Sequence, residues 1–364
     1  MPNQAVPASF RTNVRLADYS TIGLGGPARL FASCESVNDI RSALEYAHRS
    51  SVNIQVFGGG SNIIFPDDGL EGLVLHIALR GVATEERASE VVVDAAAGET
   101  WDNLVVRAVE RGWGGIECLS GIPGTVGATP IQNVGAYGQE VSETLSSVNT
   151  IDRTTGNDVQ FGRKDCDFGY RQSRFKGSDR DRFIITHVRF RFPKDGAPSI
   201  RYPELQRELD ARGGIPTGAR GKPALLNVRE AVLAIRHRKS MVIDPQDENT
   251  RSVGSFFTNP VVPQATLDAV KLRWKATGDG SPVPFYAADD GYKMPAAWLV
   301  ERAGFSRGFR MGGVGISAHH SLALVNLGGT TAELLSLADS IRTKVRTVFG
   351  IYLELEPVVV SSRR

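Results

Sequence analysis

The sequence has few cysteines, little net charge and no long apolar run. Its 364 residues include three cysteines, Cys34, Cys118 and Cys166, which are far apart and form no CxxC pair. This pattern favours a reducing compartment over a disulfide framework. A net charge of +2 argues against nucleic-acid binding through phosphate contacts. No signal-peptide pattern and no run of about 18 apolar residues is visible. We therefore expect a cytoplasmic protein with no membrane span and no nucleic-acid partner.

The histidines show no pattern typical of a metal site. There are six of them, without an HExxH motif and without ligand-like spacing to cysteine. We therefore expect no bound metal. The adjacent pair His319 and His320 precedes an apolar run at residues 322–325. We interpret this pair as structural.

The length of the chain predicts two or three domains. The first 80 residues or so alternate strand-like and helix-like patterns. Near the other end, Thr330 and Glu333 form a capping box ahead of apolar residues at helical spacing, which predicts a helix that ends at Gly350. A strand is expected at residues 351–360. The polar segment 240–251 is interpreted as a linker between domains.

Two glycine-rich stretches have the chemistry of an anion site. Residues 58–62 (GGGSN) follow a short apolar strand pattern, and residues 112–138 form a long irregular stretch. Consecutive glycines let backbone N–H groups converge on a phosphate, although a plain tight turn explains GGGS equally well. Two such loops together predict a phosphate-rich ligand. The candidate contacts are Gly58, Gly59, Gly60, Ser61, Asn62, Ser120, Gly121, Ile122, Pro123, Gly124, Thr125, Gly127, Ala128, Gln132, Asn133, Gly135, Ala136 and Tyr137.

Seven blocks, in order and at similar spacing, resemble the UDP-N-acetylenolpyruvoylglucosamine reductases. The resemblance covers nearly the whole chain and is closest to the larger subgroup, which carries an additional tyrosine loop. The blocks are NVRLADYSTIGLGGPA (13–28), GGGSN (58–62), ECLSGIPGTVGATPIQNVGAYGQE (117–140), GYRQSRFK (169–176), GSFFTNP (254–260), KMPAAWLV (293–300) and LEP (355–357).

This resemblance implies a fold and a set of ligands. The fold is α+β, a vanillyl-alcohol-oxidase-like (PCMH-type) FAD-binding fold with a third α+β domain for the substrate. The implied FAD-binding subdomains are residues 1–80, together with a C-terminal strand at 351–364, and residues 81–238. The implied substrate domain is residues 252–350. FAD is expected to be bound non-covalently, with NADPH as co-substrate, in a monomer.

The activity implied by the resemblance is the reduction of UDP-N-acetylglucosamine enolpyruvate to UDP-N-acetylmuramate, in peptidoglycan precursor synthesis. Ser255 matches the family's proton donor, although by spacing alone it reads as a turn residue after Gly254. Arg171 matches the arginine that faces the substrate carboxylate. Glu356 matches the third catalytic position. Glu354 is its alternative, since two residues apart on a strand share a face.

Five further residues are expected to contact the nucleotide sugar. Tyr202 resembles the tyrosine of the subgroup's additional loop. Arg236 and Lys239 have a spacing that places both on one face of a helix, where a plain charged helix end is the alternative. Lys176 and its basic neighbours at 174, 180 and 182 are interpreted as a solvated face. The expected substrate contacts are Tyr170, Tyr202, Arg236, Lys239 and Asn259.

Two other functions fit the same patterns. A flavin-dependent oxidase or dehydrogenase of sugars or lactones has the same fold, but often attaches FAD to a histidine or cysteine. Neither glycine loop contains a histidine here. A module that only binds FAD or a nucleotide sugar would not need Ser255, Arg171 and Glu356 at their motif positions.

Overall fold

The computed structural model describes residues 6–288 and 290–361. Residues 1–5 and 362–364 of the expected first subdomain lie outside the described part. The helices are α1 (Val37–Ser50), α2 (Trp101–Glu110), α3 (Pro203–Ala211), α4 (Gly221–Arg238), α5 (Gln264–Ala276), α6 (Ala296–Arg302) and α7 (Thr331–Phe349). The strands are β1 (Arg11–Arg15), β2 (Pro27–Cys34), β3 (Ile54–Phe57), β4 (Ile63–Ile64), β5 (Leu70–Ile77), β6 (Val82–Glu86), β7 (Glu90–Ala96), β8 (Gly135–Ala136), β9 (Gln139–Glu140), β10 (Leu145–Asp152), β11 (Asp158–Gly162), β12 (Phe183–Pro193), β13 (Ser252–Ser255), β14 (Val261–Val262), β15 (Tyr286–Ala288), β16 (Gly291–Lys293), β17 (Arg310–Met311), β18 (Val314–Ile316), β19 (Ala323–Asn326) and β20 (Val358–Val359).

The first sheet has the order β1-β2-β5-β3. Its strands β2, β5 and β3 are parallel, and β1 pairs antiparallel at the edge. Helix α1 makes the crossover from β2 to β3, and it begins at Ser36, whose hydroxyl accepts from the backbone of Asp39 in a capping box. Strand β3 leads directly into residues 58–62, so the sheet presents the first glycine loop at its edge.

The second sheet has the order β11-β10-β12-β7-β6 and is antiparallel throughout. One buried apolar cluster joins it to the first sheet, with members from Leu30 to Leu225. Between β7 and β10 the chain forms α2 and then the irregular segment that carries the second glycine loop. This shared core fixes the two loops relative to each other.

The third part of the chain combines two small sheets with three helices. The sheet orders are β13-β19-β18-β17 and β14-β16-β15, and α5, α6 and α7 pack beside them. The predicted helix with a capping box is confirmed as α7, since Thr330 accepts from Glu333 N and Gly350 ends the helix with a φ of 74°. The core of this part also includes Ile22 and Ile64, which come from the first part of the chain.

The strand expected at residues 351–360 is wrong over most of its length. Only β20 is regular, and it pairs in parallel with β4. The residues before it run alongside β13 and its continuation, with Glu356 N donating to Phe256 O at 3.0 Å and Thr258 N donating to Glu354 O at 3.1 Å. The backbone therefore bonds to two different partners in succession, which prevents one continuous strand.

The segment 240–251 connects α4 to β13, but it is not an exposed linker. Ser240 and Thr250 are buried. Ser240 Oγ donates to Asp247 Oδ2 at 2.5 Å and lies 2.7 Å from His319 Nδ1. The segment is thus fastened to the turn before β19. Some of its polar side chains make these internal bonds, whereas Asp244, Gln246, Glu248 and Arg251 are exposed.

The three cysteines are buried free thiols. Desolvation raises the pKa of each of them, to about 12 for Cys34 and Cys166. Across residues 6–288 and 290–361, no helix has the length and apolar character that crossing a membrane requires. In the same residues no cluster of three or more histidine, cysteine, aspartate or glutamate side chains is arranged to hold a metal ion.

Candidate functional site

A cavity of about 1010 Å³ is bordered by all three parts of the chain. Every predicted site residue lines it except Ser120, Gly121 and Asn133. The predicted residues in its wall are Gly58, Gly59, Gly60, Ser61, Asn62, Ile122, Pro123, Gly124, Thr125, Gly127, Ala128, Gln132, Gly135, Ala136, Tyr137, Tyr170, Arg171, Tyr202, Arg236, Lys239, Ser255, Asn259 and Glu356.

The two glycine loops are in direct contact and form one surface of the cavity. A Cβ added at Gly59 would lie 2.9 Å from Gly124 Cα, so neither loop has room for a side chain at this crossing. Ser61 Oγ donates to Pro123 O at 3.0 Å and fastens the loops together. Thr125 Oγ1 is buried beside them, with no hydrogen-bond partner among the described residues.

The three predicted residues outside the cavity wall hold the loops from behind. Ser120 Oγ donates to Glu117 O at 2.6 Å, and Gly121 N donates to Asp102 Oδ1 at 2.6 Å. The buried Asn133 bonds to neighbouring groups through both ends of its amide. Because these polar groups already have partners within the protein, the structure does not offer them to a ligand.

Arg236 faces the interior and supports the second glycine loop. It is 7% exposed, and its Nη2 donates to Gly121 O at 3.2 Å and to Met241 O at 2.7 Å. Desolvation lowers its pKa, which the neighbouring Tyr137 and Asp102 partly offset. Its guanidinium therefore reaches the cavity from beneath the loop, not from an exposed helix face.

The Asp102–Arg229 pair should contribute to stability in a pH-dependent way. Arg229 donates to both carboxylate oxygens of Asp102, at 2.7 and 2.8 Å. Burial alone raises the pKa of Asp102, but the hydrogen bonds from Arg229 and Gly121 outweigh burial and hold this pKa below its usual value. A lowered folded-state pKa means that the stabilisation is present at neutral pH and is lost as the pH falls through that pKa.

We expect Asp102→Asn to lower the free energy of unfolding by about 2 kcal/mol at neutral pH, less than for a fully buried pair because 29% of the Asp102 side chain is exposed. Urea unfolding measures the change. The deficit should shrink as the pH falls below about 4, the ordinary aspartate value. Asp158→Asn is the matched control, since Asp158 also binds an arginine with both oxygens but is 76% exposed. A deficit that is independent of pH would contradict this account.

Arg171 lies in a tight loop and reaches across to the C-terminal segment. Its φ is 53°, a left-handed conformation that is strained for an arginine. Its Nη2 donates to Gly135 O at 2.7 Å. Its Nε lies 3.0 Å from Glu356 Oε1, which makes an ion pair inside the cavity. The loop thus directs the guanidinium to the part of the cavity wall that contains Gly135.

Glu356 and Glu354 have different environments, although they are two residues apart. The Glu356 side chain is 14% exposed and lines the cavity, whereas Glu354 is exposed and lies outside its wall. The segment is not a regular strand, so the two side chains do not share a face. Burial raises the pKa of Glu356, and the Arg171 and Lys176 cations counteract this effect.

Ser255 is the last residue of β13. The residue that follows it is bonded through its backbone to Glu356. Ser255 is half-buried and lines the same cavity. The bond from Glu356 N to Phe256 O fixes the segment of Glu356 beside the residue that follows Ser255. The cavity therefore brings together a hydroxyl, a guanidinium and a carboxylate from three distant parts of the chain.

Tyr137, Tyr170 and Tyr202 line the cavity together with Arg171. The Tyr137 and Tyr202 rings make an edge contact with centroids 5.7 Å apart. Burial raises the pKa of Tyr137 to about 12, so its hydroxyl stays protonated. Lys293 Nζ lies 4.9 Å from the centre of the Tyr170 ring, and Asn259 Nδ2 donates to Tyr170 Oη at 3.4 Å. The predicted aromatic contacts thus line the same cavity.

The sequences of known proteins match nearly the whole chain. Two protein-family models match: the FAD binding domain at residues 28–161, and the C-terminal domain of UDP-N-acetylenolpyruvoylglucosamine reductase at residues 244–360. The UDP-N-acetylenolpyruvoylglucosamine reductase of Thermobifida fusca is 45% identical over 97% of this chain and 98% of its own. The chain belongs to the UDP-N-acetylenolpyruvoylglucosamine reductase family. The Mycobacterium tuberculosis member is 43% identical over 95% of this chain and 94% of its own.

A solved structure supports the fold of this reductase family. The Thermus caldophilus UDP-N-acetylenolpyruvylglucosamine reductase superposes with a TM-score of 0.65, covering 97% of this chain and 100% of that chain at 24% identity. Together with the FAD binding domain match, it confirms the predicted α+β vanillyl-alcohol-oxidase-like fold. The sheets of the third part supply the additional α+β region that the family resemblance implied.

The reductase cavity has the groups that an FAD molecule requires. The touching glycine loops leave a side-chain-free surface for a diphosphate, and the buried Thr125 hydroxyl beside them has no partner among the described residues. Asn62 Nδ2 donates to Gln132 Oε1 at 3.0 Å, which sets two amides side by side at the same wall. Their remaining donors and acceptors suit the polar edge of a ring.

Three residues that were interpreted as solvated or structural lie at the cavity of this reductase. Lys176 is half-buried in the wall, so a solvated face is wrong for it, whereas Arg180 lines the cavity but is exposed, as predicted. His320 lines the cavity, and burial lowers its pKa to about 4, which keeps it neutral. The signal that pointed to Lys176 was its place in the block GYRQSRFK.

Proposed function

We propose that this chain catalyses the NADPH-dependent reduction of UDP-N-acetylglucosamine enolpyruvate to UDP-N-acetylmuramate, using non-covalently bound FAD. The observation that carries the proposal is the Arg171–Glu356 pair in one cavity with Ser255, beside the glycine loops. The reaction belongs to peptidoglycan precursor synthesis, in the cytoplasm. We also propose a monomer, because the cavity is lined by residues from all three parts of a single chain.

Bound FAD would take up hydride from NADPH and supply it to the methylene carbon of the enolpyruvyl group. The Arg171 guanidinium then binds the carboxylate of the enolpyruvyl group and neutralises the charge that develops on it. Ser255 donates a proton from Oγ to the carbon that bears this carboxylate. Glu356 orients Arg171 as a carboxylate through their 3.0 Å contact, and a proton from solvent restores the Ser255 hydroxyl. These roles use residues that already face one cavity.

The nucleotide end of the substrate is proposed to lie along the part of the cavity wall that contains Tyr170 and Tyr202. Tyr202 covers it with an exposed ring, and Tyr170 and Asn259 offer a linked hydroxyl and amide. Lys239 lies in the same wall, where its Nζ donates to Glu204 Oε2 at 2.7 Å. We propose that the diphosphate competes with Glu204 for this ammonium. Arg236 contributes from beneath, since its buried Nε has no partner among the described residues.

We propose a division of the reductase into three domains. Residues 1–80, with the returning strand of the 351–364 segment, and residues 81–238 hold FAD between their glycine loops. Residues 252–350 form the substrate domain, whose sheet delivers Ser255. The cofactor contacts are proposed to be the cavity-lining residues of the loops around 58–62 and 122–137. The parallel pairing of β20 with β4 supports this assignment of the C-terminal strand.

NADPH consumption by the purified protein, measured without oxygen, tests the function. We expect a slow or stoichiometric reaction with NADPH alone and continuous turnover once UDP-N-acetylglucosamine enolpyruvate is added. A chain denatured by heat serves as the control. A yellow protein that consumes no NADPH with this substrate would leave the fold intact and favour the sugar or lactone oxidase of the same fold. Oxygen consumption with such sugars would then identify it.

A further inference from the structure

Lys176 lies against the catalytic cluster without belonging to the three residues assigned to it. It lies five residues after Arg171 in the same loop, and it is half-buried in the cavity wall. Its Nζ donates to the backbone carbonyl of Arg171 at 3.1 Å. A neighbouring arginine is bound elsewhere. Arg174 stacks over the Phe161 ring at 4.2 Å and pairs with Asp179.

The hydrogen bond from Lys176 falls on a strained residue. Arg171 has a φ of 53°, and a non-glycine residue in this region needs external contacts to hold it there. Ser173 Oγ, donating to Ile131 O at 2.6 Å, fixes the loop further along. The Lys176 ammonium therefore binds the peptide of Arg171 itself, through its carbonyl oxygen.

The charge of Lys176 also acts on Glu356. Burial raises the pKa of this carboxyl, and Arg171 and Lys176 are the two cations that oppose the rise. In return, burial lowers the pKa of Lys176, Glu356 and Glu354 raise it, and Arg171 and Arg180 lower it. Tyr170, the remaining titratable group beside Glu356, has its pKa raised by burial and stays neutral. Lys176 thus balances a buried carboxylate that one arginine would otherwise hold alone.

We propose that Lys176 is a positioning residue for the substrate half of the reaction, holding the Arg171 peptide in its strained conformation and placing a second cation in the cavity wall that Arg171 and Glu356 share. The inference rests on the proposed function, since it assigns Lys176 to the step in which Arg171, Glu356 and Ser255 act. Lys176 itself does not transfer a proton. Its loss should therefore affect substrate reduction far more than hydride delivery from NADPH.

The two half-reactions are measured separately, without oxygen, on the FAD-loaded full chain. The first is the bleaching of flavin absorbance by NADPH. The second is its return when UDP-N-acetylglucosamine enolpyruvate is added. For Lys176→Met we expect the first rate to stay within about twofold and the second to fall on the order of 10²-fold, the scale of a small misplacement of catalytic groups. Lys164→Met is the matched control, because Lys164 is an exposed lysine of the same region and lies outside the cavity wall.

Two conservative variants separate the hydrogen bond from the charge. Lys176→Arg keeps both and should restore the second rate to within about tenfold of the unaltered chain, because arginine is longer but still cationic. Lys176→Gln keeps a donor without charge, and should recover rate mainly at high pH. Without the cation the pKa of Glu356 rises, so the acidic limb of the pH profile for the second step should move to higher pH.

The outcomes distinguish failure of this inference from failure of the proposed function. No flavin reoxidation by the substrate in the unaltered chain overturns the function itself. Normal reoxidation in the unaltered chain and in Lys176→Met overturns the role of Lys176. Equal slowing of both half-reactions in Lys176→Met and Lys176→Gln, with an unmoved pH profile, also overturns it, because it indicates a purely structural lysine.

Discussion

Replacing Ser255 with alanine is expected to leave flavin reduction by NADPH within about twofold, while substrate reduction falls by about 10²–10⁴-fold, the usual contribution of a positioned proton donor. The reason is that the hydroxyl is needed only when a proton is delivered to the substrate carbon. Ser255 lines the cavity and ends β13, where its backbone is fixed by pairing with Ala323. Removing one oxygen there should leave the position of the strand unchanged.

Stopped-flow measurements of the two half-reactions would provide the test. Ser306→Ala is the control, since Ser306 is exposed and lies outside the cavity wall. Ser255→Cys should retain more activity than Ser255→Ala, because a thiol still carries a transferable proton. If Ser255→Ala slowed both half-reactions equally, Ser255 would be a structural turn residue and another group would have to supply the proton.

The second large effect is expected at Gly60. A Cβ there would lie 1.8 Å from Tyr19 O, and the φ of 65° is left-handed. Gly60→Ala must therefore shift the backbone of the first glycine loop, which touches the second loop at Gly59 and Gly124. We expect a loss of about 3 kcal/mol in the free energy of unfolding and purification largely without FAD.

Gly156→Ala is a close control for Gly60→Ala. Gly156 has a φ of 72°, but nothing lies within 4 Å of an added Cβ. The left-handed conformation alone should cost about 1 kcal/mol there, and FAD content should be unaltered. Urea unfolding and the flavin absorbance of the purified proteins measure both quantities. Similar FAD content in the two variants would show that the loop tolerates displacement and is not the phosphate site.

The sequence predicted those parts of the site that depend on local patterns. The capping box of α7 needs only Thr330 and Glu333, and the structure has both of its hydrogen bonds. The glycine loops and the block that contains Arg171 are recognised in the sequence from the order and spacing of their residues. The cavity then brings these blocks together, including Glu356 and Asn62, which are 294 positions apart in sequence and joined by a hydrogen bond of 3.3 Å.

Other features depended on contacts that no local pattern contains. In the sequence, Arg174 and Lys176 look like residues of a solvated face. In the structure, Arg174 stacks on Phe161 and Lys176 donates to the backbone oxygen of Arg171. The inward direction of Arg236 follows from the position of Gly121, which is 115 positions away. Residues 351–360 were expected to form a strand, but only β20 is regular. The residues just before β20 bond instead to the segment that follows β13.

The C-terminal segment has a consequence for the order in which the protein becomes functional during synthesis. Strand β4, just after the first glycine loop, cannot pair until β20 has been synthesised. Arg171 likewise cannot form its ion pair until Glu356 has been synthesised. A nascent chain that has already built its first two sheets therefore still exposes part of its central cleft. Such long-range closure slows folding and leaves apolar surface open to chaperones in the meantime. The protein therefore cannot reduce its substrate before almost the whole chain has been translated.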